Sequence, residues 1–367
     1  MMMDHSFWEN KRVFLTGHTG FKGTWLSVWL HMLGAKVSGY ALEPNTEPSL
    51  FGLIKSEELL QSVIGDVRDS VSLKRAISQF KPDIVFHLAA QPLVRESYRL
   101  PEETFSTNVM GTVNVLEAVR HCSSIKAFIN VTTDKVYENQ EQLNGYREDD
   151  KLGGYDPYSN SKVCSELVTS SYLNSFFNPN DYEKHGVAIA TVRAGNVIGG
   201  GDWAADRIIP DIVRAIKTDE QLIIRNPDAI RPWQHVLEPL SGYLRLAEKL
   251  YAEGVGWNGA WNFGPVLENT KKVTDLINKF QECYGQPVLV HYEKDTAMHE
   301  TGILTLDTSK ARTLLNWRTG MNFDDIVNLT AAWYKQYKVV DPLQLCRQQI
   351  KHFMKEKWHE EGCCDRS

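Results

Sequence analysis

Apolar runs rich in β-branched residues alternate along the chain with stretches whose apolar residues recur every three or four positions. The first pattern is typical of buried strands and the second of amphipathic helices. Together they predict strands at residues 12–17, 36–42, 82–90, 126–133 and 187–199, and one more within residues 59–67. They predict intervening helices at residues 20–33, 69–80, 101–121 and 158–176. Because such alternation buries a parallel sheet between two helical layers, we expect a doubly wound α/β fold.

The regular alternation fades after about Asp202. Helical patterns continue at residues 207–217, 239–252, 271–284, 309–315 and 323–338, with short strand-like pieces at residues 221–225 and 260–264. We therefore predict a first domain at residues 8–200 and a smaller mixed α/β lobe at residues 201–340, which closes over the sheet. An amphipathic stretch opens the remaining tail, residues 341–367.

The composition is that of a soluble globular protein, with 42% hydrophobic and 23% charged residues among 367. The formal net charge of −6 gives no reason to expect nucleic acid or an anionic membrane as a partner. The longest apolar stretch is broken by His31 and is too short to span a bilayer. The first residues lack the layout of a signal peptide. The six cysteines fit no zinc site or disulfide framework, so we expect a cytoplasmic protein without a bound metal.

Three glycines lie between the first strand and the first helix. The segment "TGHTGFKG" places Gly17, Gly20 and Gly23 at this junction, with Phe21 and Lys22 between the last two. Such glycines allow a tight turn, let the backbone approach a pyrophosphate and let the helix pack closely on the strand. The helix N-terminus would then offer its N–H groups to phosphates. A plain structural turn is the alternative, but the strand–turn–helix context favours a dinucleotide-binding site.

The spacing Gly-x-x-Gly-x-x-Gly resembles that of the short-chain dehydrogenase/reductase superfamily, which has a Rossmann-like fold. The resemblance implies that "GDV" contacts adenine at the end of the third strand, and that "HLAAQP" lies beside the cofactor ribose and pyrophosphate. It also implies that Asn108 bends the helix after the fourth strand; a polar residue on an exposed helical face is the alternative. The implied cofactor contacts outside the glycine motif are Asp66, Val67, Leu88, Ala89, Ala90, Gln91 and Asn108.

The identity of the cofactor depends on residues near the end of the second strand. Glu43 can bind a hydroxyl of the adenosine ribose and would repel a phosphate at that position. His18 and Lys22 are cations close to the same site, and they leave NADP as the alternative. We predict NAD.

Tyr158 and Lys162 are four residues apart in "YDPYSNSKVCSEL". On a helix this spacing places both side chains on one face. A phenol titrates near pH 10, so a phenolate at neutral pH needs about 4 kcal/mol of stabilisation, which a neighbouring ammonium and a positive nicotinamide ring favour. We predict that Tyr158 accepts the proton of an alcohol during hydride transfer and that both residues contact the cofactor. An ordinary helical pair is the alternative, and Tyr155 is excluded because it has no lysine four residues later.

Three reactive side chains follow the fifth strand in "TTDKVY". In the superfamily a serine or threonine at this place steadies the hydroxyl that is oxidised, and Thr133 occupies it. Asp134 and Lys135 are not needed for hydride transfer alone. An elimination of water needs an acid and a base, and we predict Asp134 as the acid and Lys135 as a base whose pKa is lowered by crowding and burial. The sequence does not fix this division of roles, and a solvated ion pair on a loop is the alternative.

Four segments, "TTDKVY", "YSNSK", "RAGNVIGGGDWAADRIIPD" and "RPWQHVLEPLSGYL", resemble the CDP-glucose 4,6-dehydratases from about Trp8 to Lys338. The resemblance implies a lyase that oxidises carbon 4 of CDP-D-glucose, eliminates water across carbons 5 and 6 and returns the hydride to carbon 6. It implies that the 201–340 lobe mainly binds the nucleotide sugar. Trp203 and His235 are ambiguous, and for His235 a structural role is favoured. The implied substrate-binding residues are Gln91, Asn196, Arg207 and Arg231.

Other functions stay open at this point. Another nucleotide-sugar 4,6-dehydratase or a 4-epimerase would use the same hydride-transfer residues, whereas a dinucleotide-sensing regulator normally lacks Tyr158 or Lys162. Inverting dehydratases of acetylated amino sugars share "TDK" but typically lack this tyrosine. Relatives pair the helices predicted at residues 101–121 and 158–176 into a four-helix bundle, which implies a homodimer or homotetramer. The product would supply deoxysugar for surface polysaccharide such as lipopolysaccharide O-antigen.

Overall fold

A computed structural model describes residues 5–55, 58–142, 144–293 and 303–363. Its strands, in chain order, are β1 (Arg12–Thr16), β2 (Lys36–Ala41), β3 (Gln61–Ile64), β4 (Ile84–His87), β5 (Ala127–Val131), β6 (Ala188–Arg193), β7 (Val197–Ile198), β8 (Leu222–Ile224), β9 (Ile230–Pro232), β10 (Gln234–His235), β11 (Gly259–Asn262), β12 (Thr270–Lys272) and β13 (Val290–Tyr292). Its α-helices are α1 (His5–Trp8), α2 (Phe21–Met32), α3 (Leu50–Leu53), α4 (Ser70–Phe80), α5 (Val94–Arg99), α6 (Pro101–Phe105), α7 (Gly111–Arg120), α8 (Pro157–Ser175), α9 (Tyr182–His185), α10 (Ile208–Thr218), α11 (Leu237–Glu253), α12 (Val273–Tyr284), α13 (Ser309–Leu314), α14 (Phe323–Gln336) and α15 (Pro342–Cys363).

Seven parallel strands form the central sheet, in the order β11-β6-β5-β4-β1-β2-β3. The strand order reverses at β1, where Thr16 lies opposite Tyr40 of β2 and His87 of β4. In a sheet of this kind the reversal opens a crevice at the carboxyl ends of the strands, and ligands bind there. The predicted doubly wound, Rossmann-like parallel sheet is confirmed.

Side chains of the strands alternate between two buried clusters, one on each face of the sheet. Val13 and Leu15 belong to the cluster that includes residues of α2, α11 and α15. Phe14, which lies between them, belongs to the cluster that includes residues of α4 and α7. Because successive side chains of a strand point to opposite faces, a sheet covered on both sides requires apolar residues at every position. This explains why the inner strands β4, β5 and β6 are buried along their whole length, whereas the edge strand β3 is mostly exposed.

The last strand of the sheet comes from the predicted 201–340 lobe. β11 pairs with β6, with Gly259 opposite Ala190 and Asn262 opposite Arg193. Its Trp261 is buried in the main core. The remaining strand pairs are short: β8 pairs with β13 in parallel, β9 pairs with β12 antiparallel, and β10 pairs in parallel with β7, which lies just before the lobe. The lobe is therefore mixed α/β as predicted, but the chain returns to the central sheet within it.

The C-terminal tail forms a helix that covers α2. Leu345, Cys346, Ile350 and Phe353 of α15 are buried in the main core. The ring of Phe353 lies edge-on to Trp29 of α2, with centroids 5.6 Å apart. Since α2 is buried on the outside by α15 and on the inside by the sheet, its residues from Gly23 to Leu30 are all buried. The tail is thus part of the folded body.

Among the described residues, no helix has the length and apolar character needed to cross a bilayer. Within the same ranges, no three His, Cys, Asp or Glu side chains are grouped as metal ligands would be.

Candidate active site

The glycine-rich turn forms a closed cradle between β1 and α2. Gly17 has a φ of +75°, and a Cβ there would lie 2.7 Å from the backbone nitrogen of Ala89. A Cβ on Gly23 would lie 2.1 Å from the carbonyl oxygen of Gly17. Gly20 is the extended residue before α2, and its N–H donates to Gly17. No larger side chain fits at Gly17 or Gly23, so the backbone approaches closely at the start of α2, as a bound pyrophosphate requires.

The predicted cofactor residues after β3 and β4 border the same crevice. The N–H groups of Leu88 and Ala89 donate to the Thr16 hydroxyl, at 3.1 and 3.2 Å. The Asp66 carboxylate instead receives two short bonds from Arg68, whose Nε and terminal nitrogen lie 2.8 and 2.6 Å away. These hydrogen bonds lower the pKa of Asp66. Asp66 is therefore engaged within the protein. The remaining members of this set are half-buried Ala90 and Gln91 and buried Val67.

Hydrogen bonds of Asn108 join the loop after β4 to α8. Asn108 lies in a π-helical turn, Ser106–Met110, that separates α6 from α7 within the single helix predicted at residues 101–121. Its side-chain oxygen accepts the N–H of Gln91 at 2.8 Å, and its amide donates to the Gln91 carbonyl at 3.1 Å and to the Ser161 hydroxyl at 2.8 Å. The alternative of an exposed polar residue is wrong because Asn108 is buried.

Tyr158 and Lys162 lie on one buried face of α8. Pro157 is the first residue of this helix, and Asp156 caps it by accepting the N–H of Ser159. The Lys162 ammonium donates to the Val131 carbonyl at 3.1 Å. Burial raises the pKa of Tyr158 to about 12, although a hydrogen bond with Thr133 opposes this rise. Burial also lowers the pKa of Lys162 to about 8. Burial thus disfavours the phenolate form of Tyr158. Nearby positive charge such as that of Arg207 acts in the opposite direction and lowers the pKa of Tyr158.

Thr133 and Asp134 lie beside this couple. Thr133 caps a short 3-10 turn, Asp134–Val136, and its hydroxyl donates to the Asp134 carboxylate at 3.0 Å. Asp134 is buried, and a Cβ on Gly195 would lie only 1.7 Å from its Oδ2. The negative charge of Asp134 raises the pKa of Tyr158. The alternative of a solvated surface ion pair is therefore wrong for Asp134.

Lys135 does not join this group in the structure. Its side chain is exposed, and its ammonium makes no hydrogen bond or ion pair with any residue the structure describes. Only its backbone N–H takes part, donating to the Thr133 hydroxyl at 3.3 Å. The expectation that crowding and burial surround Lys135 is wrong, because the 3-10 turn buries Asp134 and leaves its neighbour in solvent.

Lys22 of the glycine motif interacts electrostatically with the residues predicted to be catalytic. Burial lowers its pKa to about 8, and the charge of Arg207 lowers it further, whereas Asp134 and Asp202 act in the opposite direction. The ammonium of Lys22 also contributes to the lowered pKa of Lys162. The sequence predicts Lys22 only as a cofactor contact. Its charge also acts on Asp134 and Lys162, which the sequence does not predict.

The predicted substrate residues lie on the segments that follow β6. Asn196 has a left-handed φ of +49°, and its carbonyl accepts the N–H of Gln234. Arg207 precedes α10 and donates to Asp202 at 2.8 Å. Arg231 lies in β9 and donates to the Ile230 carbonyl at 3.0 Å.

Gln91 is also predicted to bind substrate, but in this structure its side-chain amide forms hydrogen bonds within the protein. It donates to the Leu93 carbonyl at 3.1 Å and to the Thr104 hydroxyl at 2.9 Å, and its oxygen accepts the Leu93 N–H at 2.6 Å. The side chain therefore shapes the loop after β4.

His235 and Trp203 have structural surroundings. The His235 ring is fully buried and lies edge-on to Trp25, with centroids 6.0 Å apart. Burial lowers the pKa of His235 to about 3. Trp203 is buried against Tyr334, with ring centroids 5.3 Å apart. The predicted structural role of His235 is thus supported by its contacts, and Trp203 belongs to the core.

Comparison with known proteins places this site in a family. The model of the GDP-mannose 4,6 dehydratase family matches residues 14–330. The chain belongs to this family. It is 52% identical, over 96% of its own length and 99% of the relative's, to the CDP-glucose 4,6-dehydratase of Salmonella typhimurium. It is 24% identical, over 87% and 92%, to the dTDP-glucose 4,6-dehydratase of Xanthomonas campestris pv. campestris. The chain is therefore a nucleotide-sugar 4,6-dehydratase, a hydro-lyase.

Solved structures agree on the fold. The dTDP-glucose 4,6-dehydratase from Bacillus anthracis in complex with NAD is 19% identical, with a TM-score of 0.73 over 89% of this chain and 97% of that one. The UDP-glucose 4-epimerase from Brucella ovis in complex with NAD is 21% identical, with a TM-score of 0.74 over 89% and 98%. Dehydratases and epimerases thus share this architecture, so the two activities must be distinguished by the residues of the site and not by the fold.

The sequence analysis does not predict a buried ion pair that joins α8, the helix of Tyr158 and Lys162, to β6. Glu166, one helical turn after Lys162, accepts bonds from Arg193 of β6, including one of 2.7 Å from its Nε. Glu166 also accepts the Thr132 hydroxyl at 2.6 Å, and Arg193 donates to the Tyr137 hydroxyl at 2.6 Å. Although burial opposes it, Glu166 holds the pKa of Arg193 above its usual range. The pair is 27 residues apart, so no local pattern revealed it.

Proposed function

We propose that the chain converts CDP-D-glucose to CDP-4-dehydro-6-deoxy-D-glucose and water, with NAD as its cofactor. The name of the Salmonella relative, at 52% identity over 96% of this chain, supports CDP-glucose as the substrate. The single observation that carries the dehydratase chemistry is the buried Asp134 beside Tyr158. Hydride transfer at one alcohol does not need this carboxylate, whereas loss of a hydroxyl needs an acid.

The glycine cradle fits a dinucleotide. Gly17 and Gly23 leave no room for a Cβ, so a pyrophosphate would lie against backbone N–H groups at the start of α2. The structural relatives named above are NAD complexes, and Glu43, two residues after β2, would repel a ribose phosphate. NAD, when bound, accepts the hydride from the sugar and returns it. The residues proposed to hold it are Gly17, Gly20, Phe21, Lys22, Gly23, Asp66, Val67, Leu88, Ala89, Ala90, Gln91, Asn108, Tyr158 and Lys162.

Oxidation at carbon 4 would use the buried couple. Tyr158 takes the proton of the carbon 4 hydroxyl while Thr133 holds the same hydroxyl by a hydrogen bond. Lys162 is anchored on the Val131 carbonyl, and it would contribute positive charge on the face of α8 that carries Tyr158. The resulting ketone acidifies the proton on carbon 5.

Elimination would use the residues after β5. Lys135 removes the carbon 5 proton, and Asp134 gives a proton to the carbon 6 hydroxyl, which leaves as water. The hydride then returns to carbon 6 and a proton to carbon 5, which completes the 6-deoxy sugar. Because Lys135 is exposed, it would reach the sugar from the solvent side of the cleft and Asp134 from the buried side.

One assay tests the reaction and the substrate together. The protein, NAD and CDP-glucose are incubated, and alkali-induced ultraviolet absorbance reports a 4-keto sugar. A 4-epimerase would instead give a hexose that keeps its carbon 6 hydroxyl, and a regulatory protein would give no product. A strong signal with dTDP-glucose and none with CDP-glucose would overturn the proposed substrate.

We further propose a cytoplasmic homodimer or homotetramer that serves the synthesis of surface polysaccharide such as lipopolysaccharide O-antigen. The segments at residues 101–121 and 158–176 would pair with their copies in a four-helix bundle. Met110 and Leu167 on these segments are 51% and 55% exposed, which supports an apolar contact there. Residues 201–340 would mainly bind the nucleotide sugar, with Arg207 and Arg231 as contacts, and Asn196 would contribute from the segment just before this lobe. Light scattering after gel filtration measures the mass, and a monomer would refute the bundle.

A further inference from the structure

Two buried hydroxyl groups flank residues 133–136, the catalytic turn of the proposed reaction. Thr132 directly precedes Thr133, and Tyr137 directly follows the 3-10 turn Asp134–Val136. The side chains of Thr132 and Tyr137 are both buried. A buried hydroxyl needs a hydrogen-bond partner, because it no longer contacts water. The partners of these two hydroxyls therefore show what holds the catalytic turn in place.

The two hydroxyls bind the two members of one ion pair. The Thr132 hydroxyl donates to Oε1 of Glu166 at 2.6 Å. A terminal nitrogen of Arg193 donates to the Tyr137 hydroxyl at 2.6 Å, and its Nε donates to the same Glu166 oxygen at 2.7 Å. The side chains of Glu166 and Arg193 are only 4% and 3% exposed. One buried ion pair therefore contacts the chain immediately before and immediately after the catalytic turn.

The acidic member of the pair belongs to the helix of the hydride-transfer couple. Glu166 lies one helical turn after Lys162 in α8, which also carries Tyr158. Lys162 donates to the carbonyl of Val131 at 3.1 Å. Glu166 accepts the hydroxyl of the next residue, Thr132. Two consecutive residues before the catalytic turn are thus bonded to α8, and the position of the turn relative to Tyr158 depends on these bonds.

The basic member of the pair holds the other end of the catalytic turn. The guanidinium carbon of Arg193 lies 4.8 Å from the centroid of the Tyr137 ring. The Tyr137 hydroxyl accepts from Arg193 and donates to the side-chain oxygen of Asn262 at 2.8 Å. Arg193 and Asn262 lie opposite each other in the paired strands β6 and β11. The hydroxyl is therefore fixed by a donor and an acceptor that the central sheet itself positions.

Stability explains this arrangement poorly. Two charges lose their hydration when they are buried, and apolar side chains of the same volume often give a protein equal or greater stability. Apolar side chains cannot hold two hydroxyls at fixed points, however. The bonds of the pair to the two ends of the catalytic turn are 2.6 Å long, whereas its bonds to Thr191 and to the Glu148 carbonyl are 3.4 and 3.0 Å long.

We propose that Glu166 and Arg193 are positioning residues that hold the catalytic turn against the helix of Tyr158. Neither of them touches the sugar. They place the Thr133 hydroxyl for oxidation at carbon 4 and the Asp134 carboxyl group for elimination, two roles that rest on the proposed function. A displacement of about 1 Å can slow a reaction about a hundredfold. Release of the turn therefore slows the chemistry although every reacting group is still present.

Thr132→Val and Tyr137→Phe each release one end of the catalytic turn without breaking the ion pair. Each variant loses a single hydroxyl and keeps the approximate shape of the side chain. Glu166 and Arg193 remain bonded to each other, and Arg193 keeps its bond to the Glu148 carbonyl. The two variants therefore separate the positioning of the turn from the stability of the buried charges.

Single-turnover stopped-flow of the NAD-loaded protein with CDP-glucose measures both chemical steps. Tyr137→Phe is expected to slow elimination about tenfold to a hundredfold, so that the absorbance of reduced cofactor accumulates. Thr132→Val is expected to slow oxidation at carbon 4 as well, because Thr133 is its direct neighbour. The KM for CDP-glucose should stay within about twofold of the wild type, since the pair does not bind the sugar. Thr132→Ser keeps the hydroxyl and should restore both rates.

Amide hydrogen exchange tests the hold on the turn without any turnover. Peptides that span residues 131–138 should exchange about tenfold faster in Thr132→Val and Tyr137→Phe, because local opening of the turn is easier. Peptides from α4 should exchange as in the wild type.

Matched controls remove hydroxyls that do not join the pair to the catalytic turn. Thr191→Val removes a hydroxyl that donates to the same Glu166 carboxylate from β6, at 3.4 Å. Tyr146→Phe removes a phenol that donates to Asn139 at 2.9 Å and stacks on the Tyr137 ring. Both controls should keep wild-type rates and wild-type exchange of residues 131–138. Urea unfolding of every variant shows whether a slow variant is only less stable than its control.

Wild-type rates in both Thr132→Val and Tyr137→Phe would overturn the positioning role, and so would equal slowing in the controls. If Thr132→Val does not fold, Tyr137→Phe decides alone, because it acts on the opposite end of the turn. A wild type that yields no 4-keto sugar would refute the proposed reaction, and unchanged exchange of residues 131–138 would then refute the hold on the turn separately. A wild type that turns over while its variants keep both rates would refute the positioning role alone.

Discussion

The ammonium group of Lys162 donates a hydrogen bond to the backbone carbonyl of Val131, 3.1 Å away. Val131 is the last residue of β5, and Thr133 and Asp134 follow it. The bond therefore joins the helix face that carries Tyr158 to the strand end that carries the other predicted catalytic groups. In this structure Lys162 therefore holds α8 against the end of β5, and its hydrogen bond goes to a backbone carbonyl and not to the Tyr158 hydroxyl.

Lys162→Met is expected to remove turnover without unfolding the protein. Because burial lowers the pKa of Lys162 from 10.5 to about 8, the unfolded chain binds this proton more readily than the folded one. The wild-type free energy of unfolding should therefore rise with pH between about 8 and 10.5, and the variant should lack this contribution. We expect kcat to fall at least about a hundredfold. Urea titrations at pH 7 and pH 10 measure the stabilities.

At pH 7 the methionine variant should be at least as stable as the wild type, because it buries no ammonium. Its advantage should shrink at pH 10, where the wild type no longer buries a charge. A variant that is less stable at pH 7 and regains stability at pH 10 would contradict the assigned direction of the pKa shift.

Asp134→Asn is expected to stop the reaction after oxidation. An amide of the same size fills the space beside Gly195 but cannot give a proton to the departing hydroxyl. With the carbon 4 chemistry of Tyr158 intact, the absorbance of reduced cofactor should accumulate while 4-keto-6-deoxy product falls at least about a hundredfold. Stopped-flow absorbance and product analysis measure the two steps. Equal loss of both steps would show that Asp134 acts before elimination.

Lys135→Met tests whether an exposed side chain is the base. We expect oxidation at carbon 4 to continue, while exchange of the carbon 5 proton with deuterated solvent slows at least about a hundredfold. The matched control is Lys151→Met, which removes a 75% exposed lysine that is paired with Glu138 nearby. Unchanged exchange in Lys135→Met would remove this residue from the mechanism.

Local patterns predict the inner strands of the central sheet because those strands bury both of their faces. All residues of β4, β5 and β6 are buried, as are Val13, Phe14 and Leu15 of β1, whereas the edge strand β3 is mostly exposed. The sequence predicts β11 only as a strand-like piece of the 201–340 lobe. Its pairing with β6 joins residues far apart in sequence, such as Trp261 and Val192, and such contacts leave no local signal.

The site was predictable where spacing determines geometry. A separation of four positions on a helix places Tyr158 and Lys162 on one face, and both side chains are buried in the structure. Spacing says nothing about a 3-10 turn, in which neighbours point in different directions, so the burial of Asp134 and the exposure of Lys135 were not foreseeable. The pair of Glu166 and Arg193 likewise depends on how α8 packs on β6.

Glu166→Gln is expected to be strongly destabilising. It leaves the guanidinium of Arg193, which is 3% exposed, buried without its carboxylate. Breaking one side of a buried ion pair costs about 3–5 kcal/mol. The double variant Glu166→Met, Arg193→Met should recover a large part of this loss, because neither charge is then buried. Urea unfolding of the three proteins measures the effect, and equal stability of the single variant and the wild type would contradict it.

Phe353→Ala tests whether the C-terminal helix α15 stabilises α2. The ring of Phe353 is 3% exposed and packs against Trp29 of α2. Its removal leaves a cavity, and the free energy of unfolding should fall by about 3–5 kcal/mol. The neighbouring exposed Lys351 gives the control, since Lys351→Ala should change stability by less than about 0.5 kcal/mol. If both variants unfold at the same urea concentration, α15 does not stabilise the body through Trp29, and the tail lies on α2 without supporting it.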